Sequence, residues 1–430
     1  MEQYAKILTI AMPVFLIAVL SEKLYGWMKF RHSFKHMDMI SSLSSGFTNS
    51  LKDALGLGIS IITYSWMVTN WAFFEIKSTV WVYLIAFIVL DLAGYLGHML
   101  SHKINVLWNR HLIHHSSEEF NLACALRQSI SGIINIFTIF LIPAALVGVP
   151  AQVIAVVAPL HLFAQFWYHT TYIGRMGFLE KILVTPSHHR VHHAINPQYI
   201  DKNHGQIFII WDKLFGTYQE ELPEEPPVYG ITRPVSTWNP IKINWGHLWL
   251  LMQDAYRCKS WTDKLRIWFM PTGWRPADVE ERYPVYKIED VHNFEKYNQQ
   301  HSGRVMVWIW CQFLFTFLLI YTLFSNLAQI GFQNAVLCGG FIMLGIYAYT
   351  ELMDRNPYAW LWEALKNGLG LGILIYMGNW FGISTPGNWL SYFLGAYFLL
   401  SSLITFVIVR FEIKKQPARQ TEQVVDYSIS

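Results

Sequence analysis

Charge is what this chain most conspicuously lacks. Asp, Glu, Lys and Arg make up only 14% of its 430 residues, against 53% apolar residues. Soluble domains carry about 25% charged residues, so an ordinary water-soluble globule is not expected. The formal net charge of +3 is too small to imply a nucleic-acid partner. Cysteine is scarce as well. Cys124, Cys258, Cys311 and Cys338 form no CxxC pair, which argues against a disulfide framework and a thiolate zinc site. The chain shows no convincing nucleotide-binding glycine motif and no G-x-S-x-G elbow, no internal repeat and no low-complexity tract.

What it has instead is long apolar runs and histidine. Crossing a bilayer takes roughly 20 apolar residues. Nine segments approach that length: Ile7–Leu20, Leu55–Phe74, Val80–Leu100, Ile130–Val147, Ala151–Trp167, Val305–Phe324, Ile330–Thr350, Ala359–Phe381 and Trp389–Val409. The fourth and fifth read as a hairpin broken at Gly148–Pro150. Ile7–Leu20 reads as an uncleaved anchor, because Glu2 and Lys6 precede it and no A-x-A site follows. The expected fold is all-α: a polytopic transmembrane helical protein. Lys23, Lys29, Arg31, Lys35 and Lys52 follow the first run, Lys414, Lys415 and Arg419 follow the last, and 175–304 is also rich in Lys and Arg. The positive-inside rule then places the long central loop on the cytoplasmic side, in a bacterial inner membrane or the endoplasmic reticulum.

The expected organisation has four parts. An N-terminal anchor region (1–78) precedes a histidine-rich domain (79–220). An interfacial, tryptophan-rich cytoplasmic segment (221–302) precedes a four-span region with its tail (303–430). The connector Leu222–Val228 is acidic and proline-rich. Tryptophans at 238, 245, 249, 261, 268 and 274 suit helices lying in the headgroup layer.

Of 17 histidines, 12 lie between His98 and His204. They form sets: His98-x3-His102, His111-x2-His114-His115 and His188-His189-x2-His192-His193. Imidazole is the commonest protein ligand for transition metals. On a helix, His98 and His102 share a face one turn apart, and Asp91 and Tyr95 continue that stripe. Asp91 is the one carboxylate in its apolar run, and an ionisable group there marks function by default; the expected role is to accept an N–H from a ligand histidine. His111 pairs with both 114 and 115, whereas the adjacent 114 and 115 diverge by about 100°, which suits two metals better than one. Thr185-Pro186 reads as a helix start, with Thr as N-cap and Pro at the first position. His169 is a further candidate ligand. His161 reads as a packed histidine, and His188 and His204 stay unassigned. His32, His36, His247, His292 and His301 are isolated and are not expected to bind metal. Iron, copper, zinc and nickel all accept imidazole, so the metal stays open at this point.

The wording around these sets is more specific. It includes WNRHLIHHSSEE (108–119), NLACALRQ (121–128), QFWYHT (165–170), TPSHHRVHH (185–193), Asp201-Lys202-Asn203, IWDKLFGT (210–217) and Tyr229-Gly230-Ile231-Thr232. This text resembles the fatty acid hydroxylase/sterol desaturase superfamily, and most closely its alkylglycerol branch. The likeness is strong over 85–275 and only architectural elsewhere. It implies a non-haem di-iron centre that activates O2, with His98, His102, His111, His114, His115, His189, His192 and His193 as ligands and His169 added. Related hydroxylases carry another histidine four residues before the position of His169; here Gln165 stands there. Glu118 matches an acidic family position and is expected to support the centre or relay a proton. For the alkylglycerol branch the implied substrate is a membrane ether lipid, the co-substrate O2 and the electron donor tetrahydrobiopterin. Competing readings are a sterol or fatty-acyl hydroxylase or desaturase, a membrane zinc hydrolase, and a metal-handling protein without catalysis.

Overall fold

The structure is a computed structural model and describes residues 2–31, 35–60, 63–135 and 137–413. His32 and the basic residues Lys414, Lys415 and Arg419 lie outside the described residues. Helices dominate. Among the described residues the strand content is a two-residue parallel pairing of Ile59–Ser60 with Ile134–Asn135, besides isolated bridges.

Among the described residues, five helices are long and apolar enough to cross a membrane: Tyr4–Phe30, Val80–Lys103, Gly303–Ser325, Phe332–Met353 and Pro386–Ile413. Four of the nine expected spans fall short, each for a local reason. In Leu55–Phe74 the preceding helix ends at Ala54 and Gly56 takes φ +63°. A new helix then starts at Tyr64, where the Thr63 hydroxyl accepts the Trp66 N–H at 3.3 Å, and runs only to Trp71. Ile130–Val147 and Ala151–Trp167 yield the shorter apolar helices Phe137–Val147 and Ala151–Phe163. Between them Gly148 caps the first helix at φ +93°, and a Cβ there would lie 1.9 Å from the Phe74 carbonyl oxygen. Only glycine fits that conformation and that approach. Ala359–Met377 is 19 residues long, but Glu363, Lys366 and Asn367 interrupt its apolar run, and the first two form a buried pair at 2.6 Å.

The chain divides into two compact units. One gathers Met1–Leu57, Ser236–Ile243 and Lys296–Ser430; the other holds Gly58–Val235 and Asn244–Glu295. In the first, Phe47 stacks on Phe313 at 5.1 Å, and the Ser44 hydroxyl meets the Tyr349 hydroxyl at 2.5 Å. The second contains every histidine of the sets. There the hairpin packs on the Val80–Lys103 helix through a core of Met67, Ala86, Ala93, Ala145 and Val153.

Buried amides tie the tryptophan-rich segment to the histidine helices. Asn105 Nδ2 donates to the carbonyls of Ile267 and Trp274, both at 3.0 Å, and its Oδ1 accepts from Gly273 N at 2.9 Å. Asn109 Oδ1 accepts from Leu248 N at 2.8 Å. The six tryptophans divide between roles. Trp238 is buried, Trp268 and Trp274 are half-buried, and Trp245, Trp249 and Trp261 are exposed.

Candidate metal centre

Three short elements supply most of the site. The Val80–Lys103 helix carries His98 and His102 in its last turns. It stops at Ile104, which is extended, and the Asn105–His115 helix begins at once with His111, His114 and His115 on its final turns. The Pro186–His192 helix starts as its sequence indicates, with Thr185 extended at the N-cap and Pro186 in the first turn. His188 is spent on that start: its Nδ1 accepts the Thr185 N–H at 3.4 Å. Burial pulls its pKa down to about 4, so the ring is neutral and free to accept.

The histidines converge into two groups. His98, His102, His111, His115 and His192 form one; His114, His169, His189 and His193 form the other. Within each group the candidate ligand atoms lie within 4.8 Å of one another. All nine histidines singled out in the sequence fall in one group or the other. A smaller set, His102, Asp201 and His204, adjoins the first group.

The hydrogen bonds decide which nitrogens face inward. His98 Nδ1 lies 2.7 Å from the His204 carbonyl, His114 Nδ1 3.2 Å from that of Arg127, His169 Nδ1 3.0 Å from that of Gln165, and His192 Nδ1 2.9 Å from that of Lys202. A carbonyl only accepts, so each Nδ1 donates and, in the neutral ring, each Nε2 carries a lone pair. His102 Nδ1 is 3.3 Å from the Asp201 carboxylate.

In the four-histidine group the Nε2 atoms close a ring. Its successive edges are 3.4 Å (His114 to His169), 2.9 Å (His169 to His189), 3.0 Å (His189 to His193) and 3.1 Å (His193 to His114). Burial lowers the pKa of His114 to about 3 and holds that of His169 well below the usual imidazole range. The Nε2 atoms of these two neutral rings therefore face each other as lone pairs, a repulsive contact unless a cation lies between them. Two nitrogens bound at about 2.1 Å and at right angles to one ion sit about 3.0 Å apart. The five-histidine group shows the same edges, 2.8 Å from His98 to His111 and 3.0 Å from His111 to His115. The Nε2 atoms of His102 and His192 are buried without a hydrogen-bond partner. An all-imidazole donor set with its lone pairs turned inward fits two transition-metal ions.

Asp91 takes different partners from those expected. Its carboxylate accepts from His161 Nε2 at 2.6 Å, Ile207 N at 2.9 Å, Phe208 N at 3.1 Å and Trp211 Nε1 at 2.8 Å. The histidine it touches is thus His161, outside both groups. Tyr95, next on the stripe, bonds the Thr217 hydroxyl at 2.9 Å. Glu118 is half-buried, and a Cβ at Gly230 would meet its Cγ at 3.5 Å. The sequence carried no signal for the backbone carbonyls of Arg127, Lys202 and His204, although Asp201 and Asn203, both at φ +55°, are residue types that tolerate the turn presenting the last two.

A cavity of about 200 Å³ opens beside the five-histidine group. His102, His115 and His192 form one wall. Trp108, Leu112, Ile195, Ile231, Leu251 and Trp274 make much of the rest apolar, with Asp201, Thr232, Arg233 and Lys287 as polar groups.

A family model described as fatty acid hydroxylase matches residues 83–217, the stretch that supplies all nine histidines. Alkylglycerol monooxygenase of Homo sapiens is 33% identical over 364 residues, which is 83% of this chain and 80% of its own length. The chain belongs to the fatty acid hydroxylase family. Two further relatives in that family are alkylglycerol monooxygenases. That of Xenopus tropicalis is 32% identical over 82% of this chain and 78% of its own, and that of Danio rerio 31% identical over 90% and 85%. No solved structure matches. Membership of the fatty acid hydroxylase family and the two histidine groups together agree with an iron-dependent hydroxylase.

Proposed function

We propose that this chain is a membrane-bound di-iron monooxygenase that hydroxylates the ether carbon of alkylglycerols. The observation that carries the reading is the pair of inward-facing imidazole groups beside an apolar cavity, in a chain similar over most of its length to alkylglycerol monooxygenases. His98, His102, His111, His115 and His192 would hold one iron, and His114, His169, His189 and His193 the other. Bound iron would supply the reduction of O2 and the oxidation of the C–H bond beside the ether oxygen, chemistry that no side chain performs.

The balance of the reaction is explicit. An ether CH2, O2, two electrons and two protons give a hemiacetal and water; the hemiacetal then breaks its C–O bond to leave a fatty aldehyde and glycerol. Tetrahydrobiopterin is the proposed electron donor. The protein's own part is positional. The carbonyls of Arg127, Gln165, Lys202 and His204 fix the ligand tautomers, as second partners of ligating histidines do. The apolar wall from Trp108 to Trp274 would take the alkyl chain and exclude water, and Asp201 and Thr232 would meet the glycerol hydroxyls. Glu118 is proposed to support the centre from beside Gly230.

We further propose that residues 79–220 form the catalytic module and that the site faces the cytoplasm. Lys103 at the histidine end of the Val80–Lys103 span supports that side. The exposed Tyr256, Trp261, Leu265 and Phe269 support an interfacial seat for the tryptophan-rich segment.

The test is incubation of purified protein with a 1-O-alkylglycerol and tetrahydrobiopterin, with and without O2. Aldehyde release that requires O2 and iron supports the proposal. Release of a fatty alcohol in place of the aldehyde, unaffected by removing O2 and with zinc as the bound metal, would replace it by a hydrolase.

A further inference from the structure

Asp91 is fully buried in the Val80–Lys103 helix, where a carboxylate is costly unless every lone pair is used. Here it meets four donors, and they lead in two directions. His161 Nε2–H donates to it at 2.6 Å. That leaves His161 Nδ1 as an acceptor, and Gln165 Nε2 donates to it at 3.2 Å. The same amide lies 3.2 Å from the His161 carbonyl and 3.4 Å from Gln206 Oε1, so its two hydrogens are shared among three acceptors and its orientation is set. The carbonyl of Gln165 in turn accepts from His169 Nδ1 at 3.0 Å. Every hydrogen along this chain has one consistent direction. The Phe87 ring, its centroid 5.2 Å from that of His161 and its plane inclined by 65°, lies against one side of the bridge.

The second direction runs through Ile207 N, Phe208 N and Trp211 Nε1, all donating to Asp91. They pin the segment that follows His204. The His204 carbonyl accepts from His98 Nδ1 at 2.7 Å, and Asp212 Oδ1 holds His204 N at 2.7 Å from the other side. One carboxylate thus braces a ligand of each histidine group without touching either.

We propose that Asp91 is the branch point that positions both groups, through His161 and Gln165 toward His169 and through residues 204–208 toward His98. Asp91 and His161 are positioning residues; neither would touch metal or substrate. Gln165, where related hydroxylases carry histidine, serves as the link that lets His161 act on His169. The inference rests on the two-metal reading above.

The branching makes the outcome asymmetric. In His161→Phe one arm is cut and the ring space is kept. The four-histidine group should then hold its metal about 10–100-fold more weakly, as when outer partners of ligands are lost, and the purified protein should fall from two metals per chain toward one. The Mössbauer signal of one iron should disappear while the other persists. Asp91→Asn turns an NH2 toward backbone N–H donors and should weaken both groups. The double variant should lose no more than Asp91→Asn alone, since both changes cut one chain. Gln165→Leu, which removes only the amide, covers the case in which His161→Phe does not fold, and should give the same single loss. Two fully occupied metals and an unchanged iron spectrum in His161→Phe or Gln165→Leu would overturn the proposal. So would equal loss of both metals in His161→Phe, which would mark a general structural role. A wild-type chain without two transition metals would instead sink the underlying centre, so the two failures are distinguishable.

Discussion

His189 and His192 lie three residues apart on a single turn, yet the structure sends them to different groups. Removing each should therefore empty a different site. His192→Ala leaves His98, His102, His111 and His115 around the first metal; His189→Ala leaves only His114, His169 and His193 around the second. Four-ligand zinc sites bind with about 10–16 kcal/mol, or about 2.5–4 kcal/mol per ligand, which is about two to three decades of affinity for each imidazole lost. The lower end suits Fe2+, which binds nitrogen more weakly than zinc. His189→Ala should show the larger loss, because three donors remain rather than four. The assay is metal per chain after anaerobic gel filtration against a weak chelator, followed by aldehyde release from a 1-O-alkylglycerol. Each variant should keep about one metal per chain and lose turnover. His188→Ala is the control on the same turn. It gives up a helix-start bond of about 1 kcal/mol and should keep both metals. The partition is refuted if His189→Ala and His192→Ala both lose two metals, or if neither loses one.

Three further outcomes follow from other parts of the fold. Gly148→Ala should destabilise the hairpin by more than the about 1–2 kcal/mol of a left-handed backbone, because its Cβ would collide with the Phe74 carbonyl; thermal unfolding in detergent reads this, and an unshifted midpoint contradicts it. Asp254→Ala strips the buried Arg275 guanidinium of the carboxylate it holds at 2.6 and 2.9 Å. That should cost about 3–5 kcal/mol, and retention of the wild-type midpoint would show that the pair is not needed. Ile200→Trp adds bulk at the partly open rim of the cavity. It should raise KM for long-chain alkylglycerols while metal content stays at the wild-type level, and an unchanged KM would place the lipid elsewhere.

Membrane character and helical class were legible in the composition, and some boundaries were legible in single residues. Thr185-Pro186 starts a helix and Gly148–Pro150 breaks a hairpin, as local backbone preferences require. The number of spans was less legible, because mean hydropathy does not register where a helix must stop. Gly56 and the Thr63 cap divide one apolar run into pieces too short to cross, although no charge interrupts it. Glu363 and Lys366 satisfy each other inside a bundle, so a run that reads as a span carries a pair that only tertiary structure explains. The grouping of the first 57 residues with residues beyond 295 in one unit likewise depends on contacts distant in sequence.

The site tells a sharper story about what spacing encodes. On the sequence, His111 pairs with 114 and 115 alike. In the structure it shares a group with His115 alone, and His114 belongs to the other. The same holds for His189, which sides with His193 and not with His192, and His98 sides with His102. Residues four apart are rotated by about 40° and residues three apart by about 60° the opposite way, so a histidine between two metals can serve one or the other but not follow both partners. Each HxxHH word is thus an i, i+4 pair for one group plus a lone histidine, one position earlier, for its neighbour. The first word gives its pair to the five-histidine group and its lone member to the four-histidine group; the second does the reverse. His98 with His102, and His169, complete the two sets. Two such words on separate helices suffice to interlock two groups, and that is why the adjacent histidines, rather than the spaced ones, carry the information that there are two groups.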